Sequence, residues 1–577
     1  MILGKRSRGW SLTRPGCTLL LFVLVFFALT ISGGEVSAYE RKIEMVPMRD
    51  GVCLATDIYI LERGERLPAI LMRTPYGKGI GSVAAPIILS KGYAWVVQDT
   101  RGRFDSQGKS SSFLDDSLDG YDTVEWIAKQ EWSDGRVGTF GISAMGITQY
   151  MMLRTTPPHL KCQYVMAAAS SLYHDAIYQG GGFRRSLTLD WLGSNKFPVE
   201  VIELLLSNPD YGPLWEKVNL AEGYDQVRVP ILHMAGWYDI FLQGMLNAFQ
   251  GLQKDGGEGA QGRQKLVIGP WTHGGFSSLQ GTKQGELKYP PNSKYDLFSK
   301  VLPWFDECLK GEDKGIMKRP AVEYYVMGDT MDKDAPGNKW RFSDVWPVPA
   351  KETPFYFQAE GRLSTSSPAK RDAYLKFTAD PANPVPTIGG ANLSLPAGPR
   401  DQRAVENRDD VLTFTTDLLE EPLEVTGPIK VVLYISTSVP DTDFTAKLTD
   451  VYPDGRSMLI TDGIIRASHR EGFSHRSPLR TGKIYKLSID LWSTSIIFNK
   501  GHKIRVSIAG SNFPRFDINH NNGEFFDFDE GEIAKAMKGG IKEYVRKPDT
   551  SPRSRKADNL VYLGKEYPSH ILLPVVK

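Results

Sequence analysis

The sequence predicts an α/β domain interrupted by a helical insertion and followed by an all-β domain. Three patterns carry that reading. From residue 67 to about 275, short apolar runs alternate with amphipathic stretches. Between about 171 and 228 the alternation lapses into short helical segments joined by Gly and Pro. After about 348, segments alternate apolar and polar residues and are separated by turns. Near-continuous apolar strands with helices between them imply a parallel sheet buried on both faces. A period of two implies strands with one solvated face.

In chain order, the strands of the first region are expected at Ala69–Arg73, Tyr93–Gln98, Val137–Ile142, Tyr164–Ala168, Ile231–Ala235 and Lys265–Ile268. A helix over Asp119–Gln130 aligns Val124, Ile127 and Ala128 on one face, and one over Phe241–Leu252 aligns Leu242, Met245, Leu246 and Phe249. Short helices at Leu187–Leu192, Val199–Leu206 and Leu214–Ala221 follow glycines 180–182. They read either as a cap over the ligand-binding end of the sheet or as an elaborate crossover. In the last region Ile429–Ser436, Asp443–Asp450, Lys486–Leu491 and Lys503–Ala509 alternate, with turns such as Pro453-Asp454-Gly455, as in a sandwich or barrel. Trp346–Lys351, with two prolines, is the expected linker. The division is therefore 39–170 with 229–348 for the α/β domain, 171–228 for the insertion and 349–577 for the β domain.

The 577 residues are 41% hydrophobic and 24% charged, an ordinary globular balance that excludes disorder, collagen and coiled coil. The formal charge of +2 is concentrated at the start, where Lys5, Arg6, Arg8 and Arg14 precede the apolar run Thr18–Ile31. Val36 and Ala38 then place small residues ahead of Tyr39. A basic region, an apolar core and a small-residue site make residues 1–38 a secretory signal peptide, with an uncleaved anchor as the alternative. The expected destination is periplasmic or extracellular, with no stable membrane insertion after cleavage near Ala38. The near-neutral remainder gives no electrostatic reason to expect nucleic acid as a partner. Cys53, Cys162 and Cys308 permit at most one disulfide and are too sparse for a cysteine-based zinc site.

The sharpest chemical signal is Gly138-Thr139-Phe140-Gly141-Ile142-Ser143-Ala144-Met145-Gly146, after an expected strand and opening a helix expected over Ala144–Thr155. A serine on such a turn is pushed out at the carboxyl edge of the sheet, although the second glycine comes one place later than in G-x-S-x-G. A serine hydroxyl needs a base oriented by a carboxylate, and the order on this scaffold is Ser, acid, His. Asp239 follows the strand at 231–235, and His273 follows the strand at 265–268. His233 falls inside a strand and reads as a core or supporting residue. The oxyanion requires donors; the backbone N–H of Ala144 is one and the Tyr76 hydroxyl is a candidate second. Trp237 and Trp271 flank these residues and are candidates to line the acyl pocket. Asp517–Glu524 has the look of a calcium loop, but Phe528 stands where its last carboxylate belongs. Arg101-Gly102-Arg103 near Asp99 reads as a buried ion-pair turn.

Thr74-Pro75-Tyr76, the run Gln98–Gly108, the serine turn, Gly236-Trp237-Tyr238-Asp239 and Gly269-Pro270-Trp271-Thr272-His273 occur in an order that resembles the cocaine-esterase-like (CocE/NonD) hydrolases. These are relatives of the S15 Xaa-Pro dipeptidyl-peptidases and the α-amino-acid ester hydrolases. Asp441-Thr442-Asp443-Phe444 and Ser511–Phe516 resemble that family's carboxyl-terminal jelly roll. The resemblance implies an α/β hydrolase core with a helical cap and a jelly-roll domain. It implies Ser143 as nucleophile, His273 as base, Asp239 as its orienter, and Tyr76 with Ala144 as the oxyanion hole. No cofactor or metal is implied, and the expected partner is a small-molecule ester or amide; a homo-oligomer stays open. Two departures stand out. Ala144 replaces a common tyrosine, and Phe241 and Leu242 replace the acidic pair that holds a substrate ammonium in the α-amino-acid ester hydrolases. An apolar wall there, including Phe241 as a pocket residue, disfavours a buried cation. The rival readings are an X-Pro dipeptidyl-peptidase or amino-ester hydrolase and, from another class, a non-catalytic binding protein.

Overall fold

The computed structural model describes residues 38–62, 64–276, 282–524, 530–548 and 551–577. Apart from Ala38, the signal peptide read over 1–38 lies outside the described residues. No helix among them is long and apolar enough to cross a membrane.

Ten strands share one sheet: β1 (Tyr39–Pro47), β2 (Cys53–Leu61), β3 (Leu67–Thr74), β4 (Ala94–Asp99), β5 (Ser133–Ile142), β6 (Leu160–Met166), β7 (Ile231–Tyr238), β8 (Lys265–Thr272), β9 (Val322–Val326) and β10 (Lys339–Ser343). Their spatial order is β1-β2-β4-β3-β5-β6-β7-β8-β9-β10. From β4 to β9 neighbouring strands run parallel, and both edges close with antiparallel strands. The central strands lie where the apolar runs fall, because each is buried on both faces. The edge strands escaped that pattern. β1 reads YERKIEMVP and is mostly exposed, so its pairing with β2, and not burial, makes it a strand.

The helices that matter for the site are α1 (Asp116–Ala128), α2 (Ala144–Met152), α3 (Arg185–Ser194), α4 (Val199–Leu206) and α5 (Leu242–Asp255). Asp116 and Asp119 in the first turn of α1 complement its dipole. On α5 the stripe Leu242, Met245, Leu246, Phe249 and Leu252 is buried. The helix expected at Leu214–Ala221 is shorter, Pro213–Glu216. Asn219 adopts extended backbone, its side chain accepts from the Ala221 amide at 3.1 Å, and a new turn begins.

The C-terminal strands form a seven-stranded and a four-stranded sheet. Phe357 stacks on Phe414 at 4.4 Å and Phe377 meets Phe444 edge-on at 6.0 Å, each pair joining one sheet to the other. Of the two expected architectures, this is the sandwich. Trp346, in the expected linker, is buried and packs on Trp237 at 5.6 Å, so the segment is pinned to the first sheet. The insertion is held from the other side. Arg466 donates its amide to Gly180 O at 2.8 Å, and a Cβ at Gly180, where φ is +55°, would lie 1.9 Å from Ile464 O. Only glycine admits that approach.

Candidate active site

Ser143 sits between the end of β5 and the start of α2 with φ 60° and ψ −127°. A non-glycine residue held there stores on the order of 1–3 kcal/mol of strain. The turn is that tight because strand and helix nearly touch. A Cβ at Gly141 would lie 2.6 Å from Met145, and one at Gly146 would lie 2.7 Å from the Ala168 Cβ. This explains the delayed glycine: residue 146, not 145, faces β6, while Met145 is buried in the apolar core. The Ser143 amide donates to Met166 O at 3.0 Å.

The three residues read from order and strand-end placement meet. His273 Nε2 lies 2.9 Å from Ser143 Oγ, and His273 Nδ1 lies 2.6 Å from Asp239 Oδ2. Asp239 is fully buried, and its Oδ1 accepts from the Phe241 amide at 2.8 Å. Both carboxylate oxygens are therefore committed, which fixes the plane of the imidazole. Behind His273, Gln284 Oε1 accepts from the Thr272 amide at 2.9 Å and its hydroxyl at 3.0 Å, bracing the loop.

Tyr76 interacts with Ser143 through its hydroxyl, whose oxygen also accepts from Trp191 Nε1 at 2.8 Å. Burial pushes its pKa up to about 12, against the opposing interactions of the phenol oxygen with Trp191 and Ser143. The phenol is therefore a neutral O–H donor across the ordinary pH range. The Ala144 amide, first of α2, has no acceptor among the described residues; first-turn amides are the ones a helix leaves free. The phenol thus meets the serine side chain, and the next residue in the chain carries the unbonded amide.

The pocket expectation divides. Phe241 meets the His273 ring edge-on at 5.6 Å. Trp237 and Trp271 are each held by other partners. Trp237 donates to Tyr325 O at 2.6 Å and packs on Trp346, while Trp271 donates to Ser293 O at 3.0 Å and packs on Tyr295 and Trp340. They belong to apolar clusters on opposite faces of the sheet, so they do not line one cavity.

Sequence reasoning missed Trp191 on α3. Its indole is stacked on Phe113 at 5.7 Å and packed on Phe197 at 4.8 Å, and it reaches Tyr76 from the insertion. Arg103, expected in an ion-pair turn, instead donates to Pro75 O at 3.2 Å and Asn195 O at 2.5 Å, tying the Tyr76 loop to the insertion. The ion-pair turn has different partners from those expected. Arg101 pairs with Asp119 at 2.6 Å, and Asp99 accepts from the Lys78 amide. His233 is a core residue, 2.6 Å from Tyr150 Oη, with its pKa lowered to about 3 by burial. Among the described residues no group of three or more His, Cys, Asp or Glu could hold a metal; Asp517 accepts from Arg466 and from the Phe183 amide.

With this geometry in hand, comparison with known proteins is decisive. Cocaine esterase of Rhodococcus sp. (strain MB1 Bresler) is 34% identical over 92% of this chain and 98% of its own length. The chain belongs to the cocaine-esterase-like hydrolases. Models of the X-Pro dipeptidyl-peptidase (S15 family) match residues 50–198 and 194–275, and that of the X-Pro dipeptidyl-peptidase C-terminal non-catalytic domain matches 314–572. Among solved structures, an aminopeptidase from the marine sediment archaeon Thaumarchaeota archaeon is 26% identical, with TM-score 0.79, covering 95% of this chain and 98% of the other. An α-amino acid ester hydrolase is 25% identical, with TM-score 0.75 and the same coverage. As a member of this family the protein is a serine hydrolase, with an α/β hydrolase fold and a C-terminal β domain.

Proposed function

We propose that this is an exported esterase that cleaves an acyl ester, and secondarily an amide, through an acyl-enzyme on Ser143. The observation that carries the reading is the unbroken chain from Ser143 Oγ through both His273 nitrogens to Asp239. His273 Nε2 takes the hydroxyl proton as Ser143 attacks the carbonyl carbon, then returns it to the leaving group. Asp239 keeps Nδ1 protonated and stabilises the imidazolium. Tyr76 O–H and Ala144 N–H receive the charge that develops on the carbonyl oxygen, each worth about 3–4 kcal/mol. The Trp191 bond into the phenol oxygen makes that O–H a stronger donor. Water, activated by the same histidine, then releases the acid. The insertion acts as a helical cap and the β unit as a jelly roll.

The family match also brings a second reading, release of X-Pro dipeptides, and one solved relative is an aminopeptidase. Both require an anion for a free amino group. Phe241 and the buried Leu242 stand two and three residues after Asp239 instead, which favours the ester. The test is paired initial rates on a p-nitrophenyl acyl ester and an X-Pro-p-nitroanilide, with Ser143→Ala beside each. Ester turnover lost in the variant is expected. Faster anilide turnover that depends on a free amino group would establish the peptidase, and undiminished turnover by Ser143→Ala would remove the site.

A further inference from the structure

Arg184 is 1% exposed, yet no carboxylate lies within ion-pair distance of its guanidinium among the described residues. It precedes α3 and reaches inward. Its Nη1 donates to Asp175 O and, at 3.0 Å, to Ile240 O. Its Nε is buried with no hydrogen-bond partner among the described residues. Ile240 follows Asp239 directly, in the turn closed by Asp239 N to Gly236 O at 2.9 Å and Phe241 N to Asp239 Oδ1 at 2.8 Å. An arginine buried without a counter-ion is costly unless its site is built for it.

The site is built from the β domain. The guanidinium lies 5.5 Å over the ring of Trp492. That ring is aimed inward by a bulge: on strand Tyr485–Phe498, Leu491 and Trp492 oppose the single residue Ile429 of strand Leu423–Thr437. Trp492 has φ +65°, a strained conformation for a bulky side chain. Its amide is held at 2.8 Å by Asp490 Oδ1, and the adjacent Ser493 hydroxyl reaches Gln243 on α5 at 3.1 Å. Bulges that re-aim a side chain cluster beside active sites. The charge is also oriented: Asp175, Asp239 and Asp462 favour it, while burial and Arg515 oppose it, leaving a pKa of about 9 and a cation at neutral pH.

We infer that Arg184 is a positioning residue for Asp239, holding the 239–241 turn through Ile240 O while seated on Trp492, so that the β domain takes part in setting the triad. The inference rests on the serine-hydrolase reading. An arginine is suited to the role because Nη1 serves both carbonyls while the rest of the planar, weakly hydrated guanidinium lies over an indole, an environment that suits a compact, strongly hydrated ammonium less well.

The test compares Arg184→Met, Arg184→Lys, Trp492→Leu and the Met/Leu double variant with the full-length protein. The readouts are ester kcat and KM, the rate of fluorophosphonate labelling of Ser143, and thermal melting. A turn displaced by a fraction of an ångström is expected to lower kcat about tenfold to a hundredfold with KM changed less than about twofold. Labelling should slow in parallel. Arg184→Lys should recover part of the loss, and the double variant should lose no more than Arg184→Met alone. Should Arg184→Met not fold, Trp492→Leu decides, because it leaves the guanidinium and its carbonyl bonds in place. Folded variants with unchanged kcat, a rise in KM alone, or additive losses would overturn the inference. Ser143→Ala separates the two levels: if it keeps activity, the hydrolase reading fails. If it is inactive while the Arg184 and Trp492 variants keep kcat and labelling rate, only this inference fails.

Discussion

The turn that carries Asp239 and the interior of the β domain bury charge in opposite ways. In the β domain the buried arginines are matched with carboxylates. Arg466 bridges Asp443 at 2.9 Å and Asp517 at 3.1 Å, Arg515 pairs with Asp462 at 2.5 Å, and His502 sits between Asp450 at 2.8 Å and Asp329 at 3.3 Å. At that turn Asp239 is hydrogen-bonded to an imidazole and one amide, and among the described residues Arg184 has no carboxylate within ion-pair distance. Paired charges are inert and hold parts together. A charge left to a histidine is available to balance the imidazolium that forms when Ser143 gives up its proton. The difference separates a region made for docking from one made for turnover.

The sharpest break of that contrast is Ser143→Ala, which should lower kcat about 10⁴-fold or more, with His273→Ala similar and the double variant no worse, because the residues act as one unit. Active-site titration beside steady-state rates checks this, and melting should be unchanged. On the paired side, Arg466→Met should cost about 3–5 kcal/mol of stability by stranding two buried carboxylates, read as a lower urea midpoint. Turnover per folded molecule should persist. Between these, Tyr76→Phe should cost about 10²-fold in kcat, and Trp191→Phe, which removes only the donor behind that phenol, should cost less. A matching loss in KM would mean that Tyr76 binds substrate instead.

The smallest effect concerns pH. Burial would lower the pKa of His502, but hydrogen bonds to Asp329 and Asp450 outweigh it and raise the pKa to about 9. Its folded value exceeds the unfolded value of about 6.5. The protonated pair therefore contributes fully below about pH 6.5 and is lost as pH rises through 9, at most on the order of 3 kcal/mol. Urea midpoints at increasing pH should fall across that window in the native chain. In His502→Gln they should be lower at the start and flatter.

Much of the site was legible because it is local. The elbow needs small residues within a few positions of Ser143, and Asp239 and His273 need only to follow apolar strands, so order and strand ends identify them. The pocket was less legible. Trp237 and Trp271 are sequence neighbours of the triad, but residues along a strand alternate between faces, and their rings turn to opposite sides of the sheet. The residues that do reach Ser143 and its partners come from far away: Trp191 is 115 positions from Tyr76, and Trp492 belongs to another sheet.

The sequence by itself determined the α/β and β regions, the order of the three chemical residues and the apolar replacement at Phe241 and Leu242. Periodicity and short turns are set within a few residues, so they are written locally. Tertiary structure alone decided what surrounds the chemistry. The insertion lies clamped between the two domains, the Tyr76 hydroxyl receives the Trp191 indole, and Arg184 rests on a tryptophan from the β domain. Those contacts join segments far apart in the chain, and only the packing of α/β domain, insertion and β domain against one another brings them together.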